Sequence, residues 1–517
     1  MDLFIKNALI IDGTGKSPFK ANIAIKGERI IYVGKEIFSA KREIDAKEFI
    51  LTPGFIDTHA HSDFTVLADS RQEGKITQGI TTEINGNCGL SAFPLQGEVY
   101  ERRLSELKAL NLKGWKTIDE YVELLKKASP TVNFATLCGH GNLRGSVGGY
   151  DNRSILKKEI NQMKRLLKEQ FSYKIKGLST GLIYPPGIFA DTDELIEIAS
   201  CLRALKGIYA THMRSEGERL LSAVEEAVLI GKKAKVPVHI SHLKTSGKEN
   251  WWKIESLLSI IDNAQKEGIK ITADRYPYVA SATDLDAFLP SWIIEGSKDA
   301  IIARLKSLKV RAYIKRYLKK RGTDFLQHLV ISDVFSNNDK IFEGKSIGQL
   351  THIEKAADFI CELLIRSNLQ VGVIYWCMSE DNLERILSKP YVMIGTDSSA
   401  RCVNGVTAVG KPHPRGFGSF PRFIRKYVLE KRIVSLEEGI RKITSLPART
   451  FKIADRGVIR VNYFADIVIF DPNEIEDRAT FEEPFRTAKG IKYVIVNGSI
   501  AVEEGMLTGK RSGKILL

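Results

Sequence analysis

The sequence predicts an α/β fold: a (β/α)8 TIM-like barrel with a small β-sandwich domain built from both chain termini and an inserted subdomain. Three observations predict it. Eight apolar, strand-like segments each end in polar residues and alternate with helix-like stretches. The two ends of the chain share another texture, short apolar runs broken by turn residues. A length of 517 residues also exceeds what one small module needs.

At the N-terminus, residues 4–11 precede Asp12-Gly13-Thr14-Gly15, and residues 22–26 and 29–33 stop at Gly27 and Gly34. At the C-terminus, residues 465–470 stop at Asp471-Pro472 and residues 493–496 at Asn497-Gly498. Residues 1–54 plus 450–517 are therefore assigned to the terminal domain. The eight strand-like segments are 54–59, 79–84, 132–137, 177–182, 208–212, 236–242, 269–274 and 391–397. Residues 220–235 and 254–267 show helical spacing between two pairs of them. The barrel is expected over 55–284 plus 346–449. Residues 285–345 are too many for a loop and form the inserted subdomain.

Composition excludes several classes. Hydrophobic residues at 43% and charged residues at 27% exclude wholesale disorder. No apolar run reaches the ~18 residues of a membrane span, and the N-terminus reads as a strand, not a signal peptide. Six cysteines without a Cys-x-x-Cys pair exclude a disulfide framework and point to a reducing, cytoplasmic compartment. The net charge of +15 is dispersed, and the basic run at 315–321 reads as an exposed helix face. A small-molecule partner is expected, with no nucleic acid and no membrane. The oligomeric state is not set by the sequence.

Active residues of a barrel gather at the strand C-terminal ends, and the histidines fall there. Asp57-Thr58-His59-Ala60-His61 ends the first strand. Alternation sets Asp57, His59 and His61 on one side, into the barrel mouth, where two imidazoles ~7 Å apart can converge on a metal. Cys88 follows the second strand in Asn85-Gly86-Asn87-Cys88-Gly89, and its thiolate is a strong zinc ligand. His212 and His242 end the fifth and sixth strands as further ligand candidates. His239, three residues before His242, is expected to face the helices. His140, after the third strand, is read equally as structural or pocket-lining. Lys244 lies on the His242 side, within reach of a substrate anion. Asp397 ends the eighth strand, where a carboxylate can take a proton from an activated water and later return it. Arg415, in Lys411-Pro412-His413-Pro414-Arg415, is a candidate carboxylate clamp.

Together these residues resemble the urease-related amidohydrolase superfamily, and more closely the D-aminoacylase (N-acyl-D-amino-acid deacylase) family. The resemblance covers essentially the whole chain. It rests on Pro53-Gly54-Phe55-Ile56-Asp57-Thr58-His59-Ala60-His61-Ser62-Asp63, Gln78 to Thr82 with Gly86-Asn87-Cys88-Gly89, Ser179-Thr180-Gly181-Leu182-Ile183-Tyr184-Pro185-Pro186, Thr211-His212-Met213-Arg214, Ser241-His242-Leu243-Lys244, Tyr276-Pro277-Tyr278 and His413-Pro414-Arg415. Many amidohydrolases bridge two metals with a carboxylated lysine after the fourth strand. No lysine stands there in this chain, and Cys88 matches the cysteine that takes the role in D-aminoacylases. The chain departs from the family in Ser398-Ser399 after Asp397 and in a longer segment from Ala400 to Lys411.

The resemblance implies a tight Zn2+ at Cys88, His212 and His242. It implies a second, weaker position at His59, His61 and Asp397, with Cys88 able to bridge. It also implies substrate contacts from Tyr184, Lys244, Tyr276 and Arg415, the cationic pair holding an α-carboxylate. The expected activity is zinc-dependent hydrolysis of N-acyl-D-amino acids to a carboxylate and a free D-amino acid, with Asp397 as general base and then acid. The alternative is another amidohydrolase reaction, on a cyclic amide or D-dipeptide. Cys88 without the bridging lysine argues against hydantoinase or dihydroorotase. A scaffold or nucleic-acid binder would not need these residues together.

Overall fold

The computed structural model describes residues 1–517. Strands from both chain ends share one nine-stranded sheet, in which Ile50–Pro53 lies between Leu3–Ile10 and Ile467–Phe470. Within Leu3–Ile10 the register shifts between Ile5 and Ala8, where Asn7 is left-handed at φ 61°. That extra residue resets the alternation. Leu3, Ile5, Ala8 and Ile10 therefore all reach one cluster, with Ile23, Ile25, Ile467, Ile469 and Ile495.

Between these ends lie eight parallel strands in two sheets. Phe55–Asp57, Ile80–Asn85 and Asn133–Thr136 form one. Cys138–Gly139, Gly177–Gly181, Ile208–His212, Val238–Ile240, Ile271–Arg275 and Val392–Ile394 form the other. The third strand runs from the first sheet into the second, and a parallel bridge from Ala60 to Ser398 joins the first strand's end to the eighth's. One face gathers Ile56, Ile84, Ala135, Leu137, Ile208, Ala210 and Met393 with Phe451 and Ile453. The other face packs Leu178, Tyr209, Val238, Ile240, Ala273 and Val392 against helices. Helix Leu220–Ala234 buries Leu220, Ala223, Val224, Ala227, Ile230 and Ala234 at helical spacing, with Lys232 and Lys233 in its last turn, where cations complement the dipole. Leu220, Val224 and Ile230 each contribute about 1.5–3 kcal/mol on burial, and the alanines less.

Between the seventh and eighth strands, Ala280–Asp284, Val371–Trp376 and Leu329–Val334 form an antiparallel sheet covered by helices Lys298–Lys306, Leu308–Gln327 and Ala356–Arg366. Its separate apolar cluster runs from Leu285 to Val373. On helix Leu308–Gln327, Ile314 and Leu318 are buried while Arg316, Lys319, Lys320 and Arg321 are exposed. No helix is long and apolar enough to cross a membrane.

Candidate active site

The first strand ends at Asp57, and alternation ends with it. Contrary to expectation, Asp57 does not point into the mouth. Its carboxylate accepts Lys75 Nζ at 2.7 Å, Thr396 N at 2.9 Å and Thr396 Oγ1 at 2.7 Å. Lys75, fully buried, also donates to the carbonyl of Ser398 at 2.8 Å. Asp397 N–H donates to the carbonyl of His59 at 2.7 Å. The buried ion pair therefore ties the two residues flanking Asp397 to the end of the first strand.

At the strand ends six side chains converge in two groups that share Cys88. One is His59, His61, Cys88 and Asp397, the other Cys88, His212 and His242, and in each the donor atoms lie within 4.8 Å of one another. Three of these residues are non-glycine and left-handed: Cys88 at φ 52°, His242 at 37° and Asp397 at 50°. Each such backbone costs on the order of 1–3 kcal/mol, held by the surrounding bonds. The Cys88 turn is shaped by Asp63, which accepts Gly86 N and Ala92 N at 3.2 Å each. Gly181, ending the fourth strand, has no room for a side chain, because a Cβ there would lie 2.1 Å from the Cys88 carbonyl oxygen.

The donor set fits zinc. With Zn–S of ~2.3 Å and Zn–N of ~2.0–2.1 Å, neighbouring donors of a tetrahedral shell lie about 3.3–3.8 Å apart. Cys88 Sγ is 3.3 Å from His59 Nε2 and 3.5 Å from His242 Nε2, and His59 Nε2 is 3.4 Å from Asp397 Oδ1. Both ring nitrogens of His212 are buried without a hydrogen-bond partner. Electrostatics gives the same answer. Burial would raise the Cys88 thiol, yet His59 and His242 hold it well below its ordinary range. Burial likewise opposes ionised Asp397, and Arg415 and His59 hold it well below the usual carboxylate range. Against burial, Asp397 and Cys88 push His61 up to about 9. Thiolate and carboxylate thus demand positive charge at this point, as a divalent cation would supply.

Residues that the sequence reading missed complete the site. Glu216 Oε1 lies 2.8 Å from His242 Nδ1 and pairs with Lys244 Nζ, so Lys244 is held beside the ligand groups. Asp274, at the end of the seventh strand, accepts His59 Nδ1 at 3.0 Å and the His242 backbone N–H at 2.9 Å. Its strand-end position was the available signal. Glu216, four residues past His212, offered only its spacing. His239 does not face the helices: it is buried with Nε2 at 2.7 Å from Asp274. The parity argument failed because the sixth strand stops at Ile240 and His242 turns left-handed.

An open cleft of about 2170 Å³ lies over these groups, walled by strand-end loops and by the segment from Ala280 to Trp376. Tyr184 lines it, its hydroxyl 2.9 Å from Thr283 Oγ1 and its ring edge-on to His212. Tyr276 carries the guanidinium groups of Arg275 and Arg415 at 4.1 and 4.5 Å from its ring centroid, and its buried hydroxyl has no partner. Arg415 Nη1 lies 2.8 Å from Asp397 Oδ2, out of hydrogen-bond alignment. Its backbone N–H donates to His413 Nδ1 at 3.0 Å, which gives His413 a place in the cleft wall that the sequence reading had not assigned. His140 is buried with Nε2 2.9 Å from Glu194, a carboxylate shared with Arg144, which is a structural arrangement.

Imidazole, thiolate and carboxylate donors at the C-terminal ends of parallel strands, under a cleft with cationic and hydroxyl groups, define a hydrolase of the amidohydrolase class. Residues 42–502 match the amidohydrolase family, and the chain belongs to that family. It is similar to D-aminoacylase of Alcaligenes xylosoxydans xylosoxydans, 33% identical over 516 residues, covering 100% of this chain and 97% of the relative. N-acyl-D-aspartate deacylase of the same organism is 34% identical over 518 residues, covering 100% and 95%. A solved structure, N-acyl-D-glutamate deacylase of Bordetella bronchiseptica with zinc and a phosphonate mimic of the reaction's tetrahedral intermediate, matches with TM-score 0.84 at 30% identity, covering 100% of this chain and 99% of that one.

Proposed function

We propose that this chain hydrolyses N-acyl-D-amino acids to a carboxylate and a free D-amino acid, using zinc. The carrying observation is the pair of ligand groups sharing Cys88, with Tyr276 and Arg415 lining the cleft above them. On this reading the two parallel sheets close into a (β/α)8 barrel, a closure supported by the Ala60–Ser398 bridge. The terminal sheet folds over itself as a sandwich, supported by the single cluster that gathers strands from both chain ends. The segment from Ala280 to Trp376 is an inserted subdomain forming one wall of the cleft. Six unpaired cysteines support a cytoplasmic setting.

Cys88, His212 and His242 hold the tight zinc. His59, His61 and Asp397 provide the second, weaker position, with Cys88 shared. The space denied at Gly181 supports a cysteine in place of a bridging lysine. Bound zinc supplies Lewis acidity and lowers the pKa of a coordinated water from ~15.7 towards ~7. Asp397, braced on both flanks, takes the proton of the attacking water and returns it to the leaving nitrogen. The Tyr184 hydroxyl donates to the oxygen of the attacked carbonyl. Arg415 and Lys244 hold the α-carboxylate, and Tyr276 lends its free hydroxyl. With the carboxylate and the carbonyl both fixed, one enantiomer alone sends its side chain into the open cleft.

A panel of N-acetyl-D- and L-amino acids with the zinc-loaded protein tests the reading. Misplacing a reacting group costs about 10²-fold, so kcat/KM for D-substrates is expected to exceed that for L-substrates by at least that factor. Equal turnover of both enantiomers, or turnover of hydantoins alone, would sink it.

Arg415→Met is expected to raise KM for N-acetyl-D-amino acids far more than for the corresponding amides. A charge-assisted bond to the carboxylate contributes about 1.5–3 kcal/mol, so catalytic efficiency on the acids falls roughly 10- to 150-fold. Because Arg415 also lies against Asp397, both substrate kinds lose any effect transmitted through that carboxylate. The acid–amide difference isolates the clamp. Equal losses on acids and amides would make Arg415 a support for Asp397 alone.

A further inference from the structure

His239 and Asp274 are fully buried, and neither lines the cleft. His239 Nε2 lies 2.7 Å from Asp274 Oδ2, and its Nδ1 lies 2.9 Å from Thr272 Oγ1. The same Oδ2 takes His59 Nδ1 at 3.0 Å, while Oδ1 takes the His242 backbone N–H at 2.9 Å. One carboxylate thus touches a member of each ligand group, the ring of His59 and the backbone of His242.

An ionised carboxylate only accepts hydrogen bonds. His59 must therefore carry its proton on Nδ1, which leaves the Nε2 lone pair towards Cys88 Sγ, 3.3 Å away. His239 must present an Nε2 proton to the same oxygen. The two imidazoles hold Oδ2 from two directions, and the His242 N–H holds Oδ1, so the carboxylate cannot turn. Without the His239 donor, Oδ2 keeps His59 as its one partner in a dry interior, and the His59 ring loses its fixed brace. Asp274 is the direct partner of the His59 ring, and loss of such a partner typically changes metal affinity about 10- to 100-fold.

We infer that His239, acting through Asp274, is a positioning residue that sets the His59 ring and tautomer and so tunes the weaker metal position selectively. The inference rests on the two-position zinc reading above. It assigns His239 no contact with substrate or metal.

Zinc binding to wild-type, His239→Leu and His239→Gln proteins, measured by chelator competition and elemental analysis with Zn2+ alone, tests it. Wild type is expected to bind two zinc ions with unequal affinity. His239→Leu should weaken the second about 10- to 100-fold and leave the first within about 3-fold. His239→Gln, which keeps a donor for Asp274, should restore the second to within about 3-fold of wild type. Wild-type affinity for the second zinc in His239→Leu would overturn the inference. So would equal weakening in the leucine and glutamine variants, which would assign the effect to packing against Phe451, whose ring lies 5.1 Å away. If the leucine variant does not fold, Asp274→Asn, of the same volume, should show the loss of second-site affinity, and unchanged affinity there overturns the idea. Turnover of N-acetyl-D-amino acids by the same wild-type preparation separates the two readings. D-substrate turnover with an unaltered second zinc in His239→Leu defeats the inference alone, and the expected zinc pattern without D-substrate turnover defeats the deacylase reading alone. A wild-type protein that binds a single zinc would overturn the inference and the two-position reading, leaving deacylation to the substrate panel.

Discussion

Asp397→Asn is expected to lower kcat by about 10²- to 10⁴-fold, the usual worth of a positioned general acid–base, while the zinc at Cys88, His212 and His242 stays. The substitution is conservative here for a structural reason. Asp397 sits at φ 50°, a left-handed backbone that asparagine tolerates. Its neighbours stay anchored, Thr396 on Asp57 and the Ser398 carbonyl on Lys75, and its own N–H still donates to His59. The amide keeps the shape and can still accept a bond, but it cannot take a proton from water. It also loses the charge that Arg415 faces at 2.8 Å, which on the proposed reading should weaken the second metal position and spare the one at Cys88, His212 and His242. Kinetics, elemental analysis and a thermal melt on one preparation check all three points. Loss of the tight zinc would make Asp397 a principal ligand and break the division into two groups. Turnover within about 10-fold of wild type would remove it from the proton path.

Cys88→Ala is expected to lose the tightly held zinc and nearly all turnover while the protein stays folded. Cys88 is the one side chain in both ligand groups, so its removal opens both positions at once. Loss of a shared ligand should exceed the ~10- to 100-fold in affinity that follows loss of a mere supporting partner. Stability should change little. Alanine is small enough for the 6%-exposed position and bears the same left-handed strain at φ 52°. The turn is held by backbone bonds to Asp63 that do not involve the sulfur. A change of roughly 1 kcal/mol is the ordinary size for such a truncation. Full zinc occupancy with wild-type turnover would defeat the assignment. An unfolded variant would instead make Cys88 a structural residue, which a circular dichroism melt distinguishes.

Much of this molecule was legible in its sequence because the relevant signals are local. All eight strand-like segments are strands, since apolar runs bounded by glycine and polar residues state their own limits within a few residues. The helices at 220–234 and 254–266 announce themselves by spacing alone. That imidazole, thiol and carboxylate side chains collect at the strand ends was legible too, because the order of strand and polar tip is a one-dimensional fact. What only the tertiary structure decided depends on where the chain stops being regular and on what it meets there. Alternation assigns a side only while the backbone stays extended, so Asp57 and His239, beside strand ends at Asp57 and Ile240, went to the opposite sides from those expected. The antiparallel sheet between the seventh and eighth strands pairs Ala280–Asp284 with Val371–Trp376 across a long separation in sequence, which no local pattern encodes. The pairing of Arg415 with Asp397, of Glu216 with Lys244 and His242, and of Asp274 with both His59 and His239 joins elements far apart in the chain. Those bonds exist because a buried charge must find a partner in three dimensions, and the sequence names the charges without naming the partners.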